Sequence, residues 1–560
     1  AQTVCRGDLE INVIEGLGAL VDKSLLRHGS QPDGVSRFSI LESLREFGQT
    51  QLAATGELET TQRRHAAYFA GLAQQAEESK YGNRQRQWLE TLEEEHANLQ
   101  AALRWCLDSG NIALGLQCAT ATSWFWSLRG HWSVGRRWLE RLVEAYGGVP
   151  DALHAKGLEA LGRLLFYQAE YKRAEEALQQ SLAEYRQLGD TTGIRNVLYG
   201  LRDLFQWREE YAKADEVANE GLALSRMLND AAGICRGLCG LSYIASNRGE
   251  YETATVWFHE AMRIAQKLGL EHERGLILYN LGRVAFCQGQ PDSAAALYNE
   301  CLAIFRELDS KRNIGRTVVR LGDLAALQGD VESAARLYEE GLARLRELED
   351  TRWVTRPIHG LATLALRRGD YQQSHTLLQE GLRLCVESGA KLEGIECLES
   401  AAVLAASDGQ AGVAARLFGA AENIRDAIDA PRPPVYRLRH NRTVNAVRRR
   451  LGASDFEVAY AAGRALTLEQ AAAEAIALTI KPTRTVTSRK PAFSLTRREH
   501  EVAALIAQGL SNRQIAAALF ITDHTVESHV ENILNKLGFN ARTQIAAWSS
   551  ASQQHPVPAQ

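Results

Sequence analysis

Long apolar runs are missing from these 560 residues. No segment is long and apolar enough to cross a bilayer, so no membrane partner is expected. No charged and then apolar stretch opens the sequence as a secretory signal does. Proline is scarce, at 11 residues, while Ala and Leu are abundant, and that balance favours helices. Net charge is small as well, with 64 Lys and Arg against 68 Asp and Glu. Such a total neither requires nor forbids nucleic acid, because a small basic surface disappears into it.

Chemical motifs are also lacking. No Gly-x-x-x-x-Gly-Lys-Ser/Thr stretch exists, so no loop of that kind cradles a triphosphate. No Asp-rich receiver site appears, which leaves phosphorelay control unsupported. The nine Cys are scattered without a framework, which fits a reducing, cytoplasmic setting. Cys235 and Cys239 stand four apart on one helical face, but no further ligands follow at finger spacing. They read as buried thiols, and neither a metal nor a cofactor is expected. His65, His96 and His131 lie on helical stretches among aromatic residues. No nucleophile and base can be paired from spacing, so the chain is not expected to be an enzyme.

What is present is a repeat. The Gly329-Asp330 turn recurs as Gly249-Glu250, Gly289-Gln290, Gly369-Asp370 and Gly409-Gln410, with Ala169 and Glu209 in phase. The step is forty residues over seven copies. A small residue follows five positions on: Ala174, Ala214, Ala254, Ala294, Ala334, Ser374 and Ala414. Four further come Leu178, Ala218, Phe258, Tyr298, Tyr338, Leu378 and Phe418. Three later still are Ser181, Gly221, Ala261, Cys301, Gly341, Gly381 and Ala421. Spacings of four and three keep these columns on one helical face. Each unit reads as a helix hairpin that cannot bury its face alone, so neighbours must stack into a solenoid. Trp124 to Leu142 reads as an earlier hairpin, shifted by one residue.

The pattern resembles the tetratricopeptide repeat through Leu321, Gly322, Gly329, Asp330, Ala334, Tyr338 and Gly341. That family repeats about every 34 residues. The excess implies longer helices or longer loops. The groove of such a solenoid is a possible seat for a small-molecule or protein effector, and no residue in it is singled out.

The N-terminal stretch Leu17 to Glu57 reads as a helix, a short strand, a return strand at Arg37 to Leu41 and a further helix. That order is a winged-helix pattern without its first helix. Its helices show no basic stripe, which favours a structural joint over a DNA reader. "ALVDKSL", "ILESLREFG", "RRHAAYF" and "EEEHANLQAALRW" are similar to the region after the nucleotide-binding core of large bacterial signal-transduction ATPases. The resemblance implies an ATPase ahead of Ala1, either cut off or naturally lost.

Near the other end, Pro431 to Pro434 closes the regular repeats, and Thr467 with Gln470 forms a capping box for a helix to about Ile480. Lys481 to Ser494 lacks apolar periodicity, carries four positive charges and reads as a tether. Thr496 with Glu499, and Ser511 with Gln514, mark two further helix starts. Thr522 caps a third helix, Asp523 to about Leu537, and Asn540 a fourth. Val502, Leu505, Ile506, Ile515, Leu519, Val526, Val530, Ile533, Leu537, Ile545 and Trp548 read as the shared interior. Two helices joined by "FITD" make a helix-turn-helix, and the third helix is shaped for a major groove.

Ser494 to Trp548 closely resembles the DNA-binding domain of the LuxR family, also named after FixJ and GerE. The match runs through Leu495, Thr496, Arg498, Glu499, Glu501, Val502, Gly509, Ser511, Asn512, Ile515, Ala516, Leu519, Thr525, Val526, His529, Ile533, Lys536, Leu537, Arg542 and Thr543. The resemblance implies base reading at Glu527, Ser528 and Glu531. It implies backbone contacts near Asn512, Arg513, Thr525, Lys536 and Arg542. As bland alternatives, Arg513 and Lys536 are solvated charges and Asn512 supports its helix start. His529 reads as packing. Glu499 reads as a fold-holding acid paired with Arg542 or Lys536. Family members often carry Lys where Glu527 and Glu531 stand. From Leu495 to Trp548 five cationic residues face five acidic ones. So neutral a module holds phosphate weakly, which calls for a homodimer reading two half-sites.

The expected fold is nearly all-α: a tetratricopeptide-like α-solenoid, an N-terminal winged-helix remnant and a C-terminal four-helix helix-turn-helix domain. Residues 1–60 would be the partial winged helix, 61–150 a helical connector with the first hairpins, and 151–430 the repeats. A helical extension follows at 431–480, a basic linker at 481–494, the LuxR-type domain at 495–550 and a disordered tail at 551–560. The expected function is transcriptional regulation on double-stranded promoter DNA. The alternative is a protein-interaction scaffold with a weak or non-specific DNA-binding tail.

Overall fold

The computed structural model describes residues 2–5, 12–30, 36–80, 84–148, 150–348, 350–351, 353–480, 495–537, 539 and 541–553. The tether at 481–494 and the cap at Asn540 lie outside these residues.

Seven helix pairs follow the forty-residue step. They are Ala152–Tyr167 with Tyr171–Leu188, Thr191–Trp207 with Tyr211–Met227, Ala231–Asn247 with Tyr251–Leu268, and Glu271–Cys287 with Pro291–Glu307. Lys311–Gln328 pairs with Val331–Glu347, Thr355–Arg368 with Tyr371–Ser388, and Lys391–Ser407 with Ala411–Ala427. Most of these helices run 17 or 18 residues, as in Tyr251–Leu268 and Glu271–Cys287, and the joints are short. The excess over the usual repeat therefore lies in helix length. Ile112–Arg129 and Trp132–Tyr146 form the earlier hairpin, turning at Gly130.

The turn column is a backbone requirement. Gly249, Gly289, Gly329, Gly369 and Gly409 take φ of 79°, 77°, 87°, 80° and 96°, while Ala169 and Glu209 accept 61° and 52°. Only glycine enters that left-handed region without a Cβ penalty. A second left-handed column ends the second helix of each pair, at Gly189, Asn229, Gly269, Asp309, Gly389 and Asp429. The sequence reading missed it.

All seven small residues five beyond the turn are fully buried, from Ala174 to Ala414. Leu178, Ala218, Phe258, Tyr298, Leu378 and Phe418 are at most 1% exposed, and Tyr338 is 3%. The third column allows close crossing: a Cβ on Gly341 would stand 2.4 Å from Val319 Cγ2.

Each hairpin turns slightly on the last, and the rotations accumulate until the solenoid meets itself. Arg129 pairs with Asp309, 180 residues away. The Lys391 backbone N–H donates to Glu209 Oε2 at 3.3 Å, across 182 residues. Arg248 Nε lies 3.3 Å from Asp429 Oδ2. The interior is thereby enclosed, and arginines occupy it. Arg312, Arg316 and Arg320 rise one turn apart on Lys311–Gln328. Arg316 stacks on Trp353, Tyr279 and Trp207 at 4.2, 4.8 and 5.9 Å from the ring centroids. Arg312 reaches Trp132, Tyr167 and Trp207, and its charge meets Asp350 at 2.7 Å. These Tyr and Trp thus build a cation–π row through the interior.

Beyond the repeats, Pro434–Leu451, Ala453–Arg464 and Leu468–Ile476 fold back on the last hairpins. Tyr436 meets Phe286 and His440 meets Phe418, at 6.1 and 5.3 Å between rings. Thr467 and Gln470 form the capping box. The helix stops at Ile476 instead of running to Ile480. At the other end, Val13–Asp22, antiparallel strands Leu26–Ser30 and Ser36–Ile40, and Glu42–Ala54 follow in order, with Leu26 opposite Ile40. No helix among the described residues is long and apolar enough to cross a membrane.

Candidate nucleic-acid interface

The last helices are Arg497–Ala507, Asn512–Leu519, Asp523–Leu537 and Arg542–Gln553. The fourth passes the expected boundary at 550. "SSASQ" contains no residue that breaks a helix, so residues 551–553 are helical and not a disordered tail. Residues 554–560 lie outside the described residues.

Local chemistry sets the helix starts. Thr496 and Glu499, and Ser511 and Gln514, each close a reciprocal capping box. The Thr525 backbone N–H donates to Thr522 Oγ1 at 3.2 Å. Val502, Ala503, Ile515, Val526, Ile533 and Ile545 are fully buried and form a core of their own. Trp548 packs against this core, with its ring 5.8 Å from His500. Between the second and third helices Phe520 adopts φ 53° and is 95% exposed.

That core fixes what the third helix presents. Val526 and Ile533 turn inward, so Glu527, Ser528 and Glu531 are exposed on the outer face. Glu527 Oε2 lies 3.5 Å from His524 Nδ1. Ser528 Oγ donates to the His524 carbonyl at 3.1 Å. Thr525 is half-buried, with its hydroxyl 2.8 Å from that of Thr522. His529 is half-buried and Arg513 is exposed.

The other cationic candidates have partners inside the domain. Lys536 Nζ donates to Glu499 Oε2 at 2.6 Å, so the acid pairs with Lys536 and not Arg542. Burial pushes the Glu499 carboxyl up, but Lys536 and the Thr496 donors outweigh it and hold it below the usual range. Arg542 donates to Asn512 Oδ1 at 2.5 Å and to the Leu510 carbonyl at 2.6 Å. That fork ties the fourth helix to the start of the second. A further clamp was not read from sequence: Arg498 donates to the Leu519 carbonyl at 2.5 Å and pairs with Glu501. Its signal was an Arg on the first helix, one position before the capping acid.

The histidines sort differently. His96 and His131 meet with tilted rings 4.4 Å apart, and His131 Nε2 lies 3.0 Å from Glu93 Oε1. Trp126 Nε1 donates to His96 Nε2 at 3.3 Å, which occupies that lone pair. His65 lies apart, against Phe69. Cys235 is buried, with its Sγ 3.4 Å from the Ala261 carbonyl oxygen.

Residues 493–549 match the family described as bacterial regulatory proteins, luxR family, and residues 268–451 match a MalT-like TPR region. The chain is 34% identical over 154 residues to a Mycobacterium tuberculosis protein named as an HTH-type transcriptional regulator. That stretch is 27% of this chain and 17% of the relative's length. It is 55% identical over 56 residues to the transcriptional regulatory protein DegU of Brevibacillus brevis, covering 10% of this chain and 24% of DegU. A Rap protein, solved in complex with competence and sporulation factor, shares the repeat fold. Its TM-score is 0.50 at 15% identity, over 66% of this chain and 99% of Rap. Residues 493–549 of the chain thus form a LuxR-family helix-turn-helix domain, and a MalT-like tetratricopeptide region precedes it.

Proposed function

We propose that this regulator reads promoter DNA with the outer face of Asp523–Leu537 and that its repeat body receives an effector. The supporting observation is the orientation of that helix. Its buried side holds Val526 and Ile533 in the domain core, which leaves Glu527, Ser528 and Glu531 for base edges. A Glu accepts from cytosine N4, so a cytosine-containing half-site is the expected preference. Arg513 and Thr525 reach phosphate at the helix starts. Asn512, Lys536 and Arg542 shape the module first and touch phosphate only with their remaining donors. Two chains on a dyad-related site would supply the affinity that one neutral module lacks. Selection of random duplexes by the full chain, followed by sedimentation of the complex, tests both parts. A paired, cytosine-containing motif with two chains per site is expected. One chain per site would overturn the dimer.

A second reading has its own observation. The two acids are exposed on the presenting face, while Lys536 and Arg542 are engaged within the domain. A tail built so would serve a protein scaffold and hold DNA weakly. Titration at two salt concentrations separates the readings, because affinity that does not fall with salt means no phosphate contact.

A further inference from the structure

A cavity of 170 Å³ lies between the last hairpins and Pro434–Leu451. Phe286, Tyr338, Phe418 and Tyr436 give it aromatic walls. Polar groups line it too: His359 Nε2 lies 2.8 Å from Ser400 Oγ, and Thr363 and Thr443 are in the lining.

Three carboxylates line the cavity, and each is already neutralised. Asp323 meets Arg356 at 2.7 Å and Arg320 at 3.2 Å. Glu396 meets Arg356 at 3.1 Å. Glu399 meets Arg432 at 2.7 Å and Arg425 at 3.1 Å. Two lining arginines remain. Arg367 donates to the Ala326 carbonyl at 2.7 Å, and among the described residues neither it nor Arg439 forms an ion pair with a carboxylate. Both are accessible to solvent. Partial desolvation by the surrounding residues and the like charge of Arg367 lower Arg439 to about 10.

We propose that this cavity is the effector site and that it takes a small ligand carrying an oxyanion, carboxylate or phosphate, on an apolar body. Arg367 and Arg439 would hold the oxyanion through charge-assisted hydrogen bonds, while the aromatic walls take the body. The size suits a single ring, since an apolar cavity of about 150 Å³ accommodates benzene. The inference rests on the reading that the repeat body receives an effector. One wall is the helix Pro434–Leu451, which lies on the chain path to the DNA-binding domain. A ligand bridging that helix to the repeats favours whichever arrangement holds them together.

Calorimetric titration of the full chain, without DNA, tests this apart from the DNA reading. The probes are benzoate, phenyl phosphate and neutral benzyl alcohol. Binding of one or both oxyanions in preference to the alcohol is expected, and the tighter of the two identifies the head group. Arg439→Gln and Arg367→Gln should each weaken binding about tenfold to a hundredfold while the thermal melt of the chain is kept. Equal binding of benzyl alcohol, oxyanion affinity unchanged in both variants, or no heat from either oxyanion would overturn the proposal. Failure of DNA selection alongside oxyanion binding would overturn only the promoter reading.

Discussion

Lys536 and Glu499 join the third and first helices of the DNA-binding domain, with 2.6 Å between Nζ and Oε2. The acid is 3% exposed and also accepts from the Thr496 backbone N–H at 2.7 Å. Neutralising the acid therefore strands the lysine, while a Gln in its place can still close the capping box. Glu499→Gln should cost the domain about 1–3 kcal/mol, read by denaturant melts of the chain followed at this domain. The folded carboxyl is held below its usual range, so its contribution is complete above about pH 4.3 and is lost as pH falls through the folded value. Glu499→Gln should flatten that acid limb. An unchanged limb would show that the pair carries no linkage.

The acids on the outer face give a prediction of opposite sign. Glu527→Lys with Glu531→Lys should tighten binding to unrelated duplexes. Each new phosphate contact should steepen the log–log salt slope by about 0.9. Preference for the selected site should fall at the same time. Filter binding at several salt concentrations measures both effects.

Gly463 and Gly419 permit a crossing of backbones. A Cβ on Gly463 would stand 2.0 Å from the Arg416 carbonyl oxygen, and one on Gly419 would stand 2.2 Å from that of Tyr460. Backbone cannot swing aside as a side chain can. Gly463→Ala should therefore cost about 1–3 kcal/mol. Gly412→Ala is the matched control: its Cβ would meet nothing within 4 Å. It should be neutral or gain about 0.5–1 kcal/mol of helix propensity. Equal melts for the two variants would contradict the crossing.

Phe520 bears a left-handed backbone and an almost wholly exposed ring. Phe520→Gly relieves roughly 1–2 kcal/mol of backbone cost. Against that stands about 0.5–1 kcal/mol of added unfolded-chain entropy. A net gain of up to about 1.5 kcal/mol in domain stability is expected, visible as a small rise in its melting temperature. A loss would mean that the ring makes contacts that offset the strain.

Much of this architecture was legible because its signals are local. Gly at the turn column announces a left-handed residue, and three small or bulky columns announce one packed helix face. The second left-handed column carried the same signal in Gly, Asn and Asp, all of which tolerate that conformation. It was missed because no single residue type dominates it. Helix starts at Thr467, Thr496 and Ser511 were legible because a capping box closes within four residues. The domain boundary drawn at 550 falls inside the fourth helix, because Ala and Ser near a terminus carry no stop signal.

The partners of the site residues were only half legible. Glu499 was assigned two possible cations, and the fold gave it Lys536. Arg542 went to Asn512 and Leu510 instead, because the fourth helix meets the start of the second. No spacing in the sequence encodes that choice.

By itself the sequence determined the helix hairpins, their period and the helix-turn-helix, because turn, cap and apolar period act over a few residues. Only the tertiary structure decided that Arg129 meets Asp309, that Arg316 lies among Trp207, Tyr279 and Trp353, and that Arg367 and Arg439 share one cavity. These contacts join distant hairpins, or the last repeats to the helix that folds back on them. They depend on small rotations summed over the solenoid and on how the chain returns, and no local pattern records such a sum.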